Sequence, residues 1–184
     1  MPFSMSGRTV GLISLILFIL TIPAGNWVVM NVGTVCPPDS PCLIPVWPGI
    51  MSPSAVLFAG LALILRDAVQ SLLGKRWTLV AIAAGAVLSG VLSEPAIILG
   101  STCAFLFSEL ADFAVYTPLR ERHLTLAIVL SGLVGSIVDS VIFLSLAFGS
   151  LDFIVGQVIG KFWMSLIAGA MIIMWRSTRR AQAA

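Results

Sequence analysis

The chain has 184 residues, of which 59% are hydrophobic and only 10% charged (10 Lys plus Arg, 8 Asp plus Glu), for a formal net charge of +2. An average soluble domain carries about 25% charged residues, and so few charges cannot solvate a 19.5 kDa globule with a mean hydropathy of +1.08, so the solvent for most of the chain is lipid. Disorder, nucleic-acid binding and coiled coils are excluded, because the sequence has neither a polar low-complexity run nor a basic stripe.

A helix needs about 20 mostly apolar residues to cross the hydrocarbon core. Six such runs occur, at about 9–29, 53–73, 77–93, 95–117, 124–148 and 152–175. They predict an all-α, six-helix polytopic fold in which residues 1–184 form one integral-membrane domain. The first run, Thr9 to Val29, follows Arg8 and has a signal peptide as its competing reading. Its apolar stretch outruns a signal core and ends at Trp27, which suits an interfacial anchor.

Between Asn31 and Ser52 lies NVGTVCPPDSPCLIPVWPGIMS, too rich in Pro for a spanning helix and too apolar for a free loop. It is expected to lie at the membrane interface. Cys36 and Cys42 flank PPDSP, which leaves two readings open, a small disulfide hairpin or two unpaired thiols. Two Cys without a nearby His do not complete a zinc site, and no metal is expected. Cys103, in the fourth run, reads as an apolar filler.

The remaining breaks fall at Gly74-Lys75-Arg76, Ser93-Glu94-Pro95, Pro118 to His123 and Gly149 to Asp152. With six alternating helices, Arg8, Lys75, Arg76, Arg120, Arg122, Arg176, Arg179 and Arg180 share one side, together with Glu121. The other side's loops hold Asp39, Glu94 and Asp152 and no Lys or Arg. Cytoplasmic loops retain positive charge, so both termini are expected in the cytoplasm of a multi-pass protein of the inner (plasma) membrane.

Six charged residues fall within the runs: Arg66, Asp67, Glu109, Asp112, Asp139 and Lys161, joined by the amide of Gln157. At membrane depth each is a functional candidate. At 1.5 Å per residue, Asp139 and Lys161 both sit roughly 14 Å from the outer end of neighbouring antiparallel helices, which pairs them. Arg66 shares a depth with Glu109 and is expected to meet it or Asp112. It is not expected to meet Asp67, because consecutive helical residues diverge by about 100°.

Helical spacing gathers these groups onto three faces. They are Ser101, Phe105, Ser108, Glu109, Asp112 and Tyr116; then Gly132, Gly135, Ser136, Asp139, Ser140 and Phe143; and Gly156, Gln157, Gly160, Lys161 and Ser165. A packing seam whose buried pairs fix register is the plainer reading. Four carboxylates against two cations exceed what packing requires, which favours a polar central cavity.

Enzyme apparatus is missing, and no cofactor is implied. The one His, His123, falls in a loop, and the sequence contains no H-E-x-x-H, G-x-S-x-G or P-loop string. Asp112 and Asp139 are staggered in depth by more than a turn, so an aspartyl dyad is not expected.

The strings PSAVLFAGLALILRDAVQ, AFLFSELADFAVYTPLRER, GSIVDSVIFLSLAFGS and GQVIGKFWMS resemble the queuosine-precursor transporter family, or vitamin uptake transporter (VUT) family, in its short form. The resemblance covers roughly 120 of the 184 residues. It implies uptake of a 7-deazapurine such as 7-cyano-7-deazaguanine. The ring's N–H and NH₂ donors suit Glu109 or Asp112, its faces suit Phe105, Tyr116 or Phe143, and its carbonyl suits Gln157 and Lys161. Ser108, Ser140, Asp139, Arg66 and Asp67 complete the expected substrate-binding set. The competing reading is a substrate-capture subunit of an energy-coupling-factor importer, a further one a structural or pore-forming protein. The expected partners are the lipid bilayer and the small-molecule substrate, with a homo-oligomer or an ATPase partner left open and no nucleic acid.

Overall fold

The computed structural model describes residues 7–38, 41–93 and 98–183. Asp39, Glu94 and the expected helix start at Pro95 lie outside these residues. Among the described residues six helices are long and apolar enough to cross a membrane: α1 (Gly7–Asn31), α2 (Val56–Leu73), α3 (Lys75–Leu92), α4 (Ile98–Leu119), α5 (Leu124–Phe148) and α6 (Ile154–Ala183), the last over its Ile154–Met171 part. The chain is therefore a multi-pass membrane protein. Valines of α3 at positions 80, 87 and 91 are more than half exposed, as a face turned to acyl chains requires.

Among the described residues, two boundaries differ from the sequence expectation by more than two residues. The second helix starts at Val56 instead of Pro53, because Pro53 closes a strand. The last helix continues past Trp175 to Ala183, since no Pro or Gly stops it and its polar end needs no lipid.

The expected interfacial loop is a β-hairpin. β1 (Leu43–Trp47) pairs antiparallel with β2 (Ile50–Pro53), and Gly49 takes the turn with φ 76°, a left-handed conformation that suits glycine. Of the two readings for the cysteines the disulfide holds: Cys36 and Cys42 are bonded. Cys42 N–H also donates to Val29 O at 2.8 Å, and Ser54 Oγ donates to Val28 O at 3.1 Å, tying the hairpin to the end of α1. On its other flank Trp47 stacks on Trp163 of α6 with ring centroids 6.0 Å apart, and Trp163 Nε1 donates to Val46 O at 3.1 Å.

Small residues set the helix spacing that positions the charged groups. A Cβ at Gly60 of α2 would lie 2.8 Å from Lys161 O and 2.9 Å from Lys161 Cα, so only glycine lets α2 and α6 meet there. Gly135 of α5 likewise lies against Asp112 of α4, where a Cβ would come within 3.1 Å of the Asp112 Cβ. Apolar packing completes the core: Phe18, Ala62 and Ala81 join α1, α2 and α3, while Tyr116, Ala127, Ile128 and Ala168 join α4, α5 and α6.

Candidate functional site

A cavity of about 490 Å³ lies in the hairpin-side half of the bundle. Every helix contributes to its wall, including Asn26 from α1, Phe58 from α2, Ser89 from α3, Phe105 from α4, Phe143 from α5 and Gln157 from α6. That volume falls within the range of small-molecule sites, roughly 300–1,000 Å³. Its wall is mostly apolar and aromatic, with polar groups at Thr21, Asn26, Ser89, Ser101, Asp139, Gln157 and Lys161.

Lys161 organises the polar end. Its Nζ donates to Asp139 Oδ2 at 2.5 Å, to Gln157 Oε1 at 2.5 Å and to Ser140 Oγ at 2.9 Å. An ammonium has three N–H donors, so these acceptors saturate it. The sequence cast Lys161 as a donor to a ligand carbonyl; in this arrangement it instead holds its neighbours. Gln157 is left with its Nε2 donor uncommitted to the lysine. Asp139 is left with Oδ1, which accepts only a long 3.4 Å contact from Ser108 Oγ.

A second cluster lies deeper, around Arg66, which is fully buried. Its guanidinium reaches three carboxylates through three different nitrogens. Nε donates to Glu109 Oε2 at 3.0 Å, Nη1 pairs with Asp67 Oδ1 at 2.8 Å, and Nη2 pairs with Asp112 Oδ1. The expectation that Asp67 points away from Arg66 is corrected here. Their Cα–Cβ bonds diverge, but the long Arg side chain folds back so that its head reaches the shorter carboxylate. The ring of Tyr116 lies under the same guanidinium, 5.7 Å from centroid to Cζ.

A void of about 30 Å³, large enough for a water molecule, lies between the two clusters and is lined by Ser108, Glu109, Asp139 and Lys161 among others. On the far side of Arg66 a polar strap joins α2 to α4. Gln70 Nε2 donates to Thr117 Oγ1 at 2.8 Å, and Arg120 Nη1 donates to Gln70 O at 2.6 Å.

The expected site residues thus divide. Phe105, Asp139, Phe143, Gln157 and Lys161 line the cavity, with Ser140 directly behind Lys161. Glu109 and Ser108 border the intervening void. Arg66, Asp67, Asp112 and Tyr116 form the deeper cluster and do not line the cavity. Sequence reasoning missed Asn26, whose buried Nδ2 has no hydrogen-bond partner although its residue lines the cavity. Its neighbour Trp27 drew the segment toward an interfacial reading; the available signal was an amide four residues inside the end of an apolar run. Gln70, which bridges Arg66 and Thr117, was missed as well.

A six-helix membrane bundle with an internal cavity and charged groups at its floor is the architecture of a small-molecule transporter. Residues 56–175 match the model of the family described as "putative vitamin uptake transporter", and the chain belongs to that family. No curated protein and no solved structure gave a match. The matched segment spans α2 through most of α6 and leaves α1 and the hairpin outside it.

Proposed function

We propose that the protein imports a queuosine precursor, 7-cyano-7-deazaguanine or a related 7-deazapurine, across the plasma membrane, with both chain ends in the cytoplasm and the hairpin outside. The observation that carries the reading is the pairing of an available acceptor with an available donor at the polar end of an aromatic cavity, with a further unpaired amide on its α1 wall. Asp139 Oδ1 accepts, while Gln157 Nε2 and Asn26 Nδ2 donate. A deazaguanine presents the complementary edge, with N–H and NH₂ beside a carbonyl. Its flat faces suit the Phe58, Phe105 and Phe143 rings. Because Asp139 is paired with Lys161, the polar end is electrically neutral overall, which favours an uncharged cargo.

The test is uptake of isotope-labelled 7-cyano-7-deazaguanine by cells lacking their own carrier. Uptake is expected with the wild-type chain and lost with Asp139→Asn. Wild-type-like uptake by the double variant Glu109→Gln, Asp139→Asn would sink the proposed site. Repeating the assay in proteoliposomes containing this chain alone separates a self-sufficient carrier from a capture subunit that needs an ATPase.

A further inference from the structure

The deeper cluster holds one cation and three acids. Arg66, Asp67, Glu109 and Asp112 are all 3% exposed or less. With every carboxylate ionised the cluster would carry a net charge of −2 at membrane depth. A buried carboxylate without a counter-charge takes up a proton in preference to remaining ionised.

Among the described residues the other cations near the cluster are already engaged: Arg120, at the end of α4, donates through Nη1 to Gln70 O at 2.6 Å, and Lys161 is paired with Asp139. Facing the cluster from α4 are Glu109, Asp112 and Tyr116. From α5 come Ser131, whose Oγ is 3.5 Å from Asp67 Oδ2, and Asp139 across the small void. From α6 comes Lys161, which is committed to Asp139. Asp112 supplies an independent observation: it is fully buried, its Oδ1 pairs with Arg66, and its Oδ2 makes no hydrogen bond of normal geometry, with only the Ser131 hydroxyl close by among the described residues. An oxygen so placed is suited to carrying a proton and poorly suited to carrying a charge.

We propose that Asp67 and Asp112 each hold an exchangeable proton, making the cluster a proton-binding site in which Glu109 alone stays ionised against Arg66. Each carboxylate takes one proton from hydronium, so that one O–H bond forms at the carboxylate as one breaks in the hydronium ion, which leaves as water. Glu109 borders the void that also touches Asp139, so it stands between the two acids and the cavity from which water would come. The inference goes beyond the proposed cargo, because it follows from the chain's own charges and holds whatever the cavity carries.

The experiment is infrared spectroscopy of the full chain reconstituted in lipid at neutral pH, with no cargo added. Wild-type protein is expected to show a protonated-carboxyl carbonyl band that shifts in heavy water. Asp67→Asn and Asp112→Asn should each remove about half of it, and Glu109→Gln should lower it by about half as well, because one of the aspartates must then ionise to balance Arg66. Should an Asn variant fail to fold, side-chain ¹³C labelling of aspartate in the wild-type chain should shift the band and labelling of glutamate should not. Absence of the band, or a band that follows glutamate, overturns the proposal. Since no cargo is present, that outcome is distinct from a failure of the uptake assay.

Discussion

Gln157 Oε1 lies 2.5 Å from Lys161 Nζ, one turn apart on α6. The lysine takes the amide oxygen and leaves the amide nitrogen as the free end of a residue that lines the cavity. Gln157→Met keeps the length of the side chain and the Asp139–Lys161 pair but removes that donor. A neutral hydrogen bond contributes about 0.5–1.5 kcal/mol, so affinity for 7-cyano-7-deazaguanine should fall by about 2- to 12-fold. Calorimetric titration of the purified protein checks this, and an unchanged affinity removes Gln157 from the site.

Asp139 should be the more costly loss. A hydrogen bond to a charged group is worth about 1.5–3 kcal/mol, so Asp139→Asn should weaken binding by about 10- to 150-fold. It also strands Lys161, a buried cation, and should lower the melting temperature. Adding Lys161→Met should recover the melting temperature without recovering binding. Thermal unfolding and titration of the three proteins separate the two effects.

Arg66 serves three carboxylates through Nε, Nη1 and Nη2, a span that an ammonium cannot cover. Arg66→Met should cost about 3–5 kcal/mol, the effect of removing one side of a buried ion pair. Arg66→Lys should recover only part of that loss. Denaturant or thermal unfolding in detergent gives the order wild type, Lys, Met; equal stability of the Lys variant and the wild type would contradict the three-point geometry.

Gly60→Ala should separate α2 from α6, because the new Cβ would meet the Lys161 backbone at 2.8–2.9 Å. Overpacking of this kind costs about 1–3 kcal/mol. The measurement is the melting temperature together with ligand affinity, both expected to fall, since the displaced residue is the one that orients Asp139 and Gln157.

The Cys36–Cys42 bond closes a loop of six-residue separation. Its removal by Cys36→Ser with Cys42→Ser should cost about 2 kcal/mol by the loop-closure relation. Only Cys103 is free among the three cysteines. Maleimide labelling of the denatured protein should therefore add one label without reductant and three with it.

Helix number and the pairing of charges were legible because both follow from rise per residue. Counting from the helix ends brought Asp139 to the level of Lys161 and Arg66 to that of Glu109, and those pairs form. The count says nothing of side-chain reach, which is why the Arg66–Asp67 contact escaped it. The face shared by Phe105 and Tyr116 on α4 was also legible, but eleven positions separate them along the helix. One ring lines the cavity and the other lies beneath Arg66. The hairpin was hidden by its prolines, since Pro45 and Pro53 break the alternation that marks a strand and are tolerated only because the two-stranded sheet is all edge. Asn26 was invisible for a different reason: a single amide carries no periodicity, and its role depends on α1 packing against α2 and α3.

The Trp47–Trp163 stack and the Trp163–Val46 hydrogen bond fasten the hairpin to α6 two residues beyond Lys161. The opposite edge of the hairpin is fastened to α1 through Cys42 and Ser54, a few residues beyond Asn26. The hairpin is thus a crossbar between the two helices that carry Asn26 and Lys161. A change in the distance between those helices bears on the hairpin, so the ring stack beside Lys161 is mechanically a gauge of how wide the chamber stands.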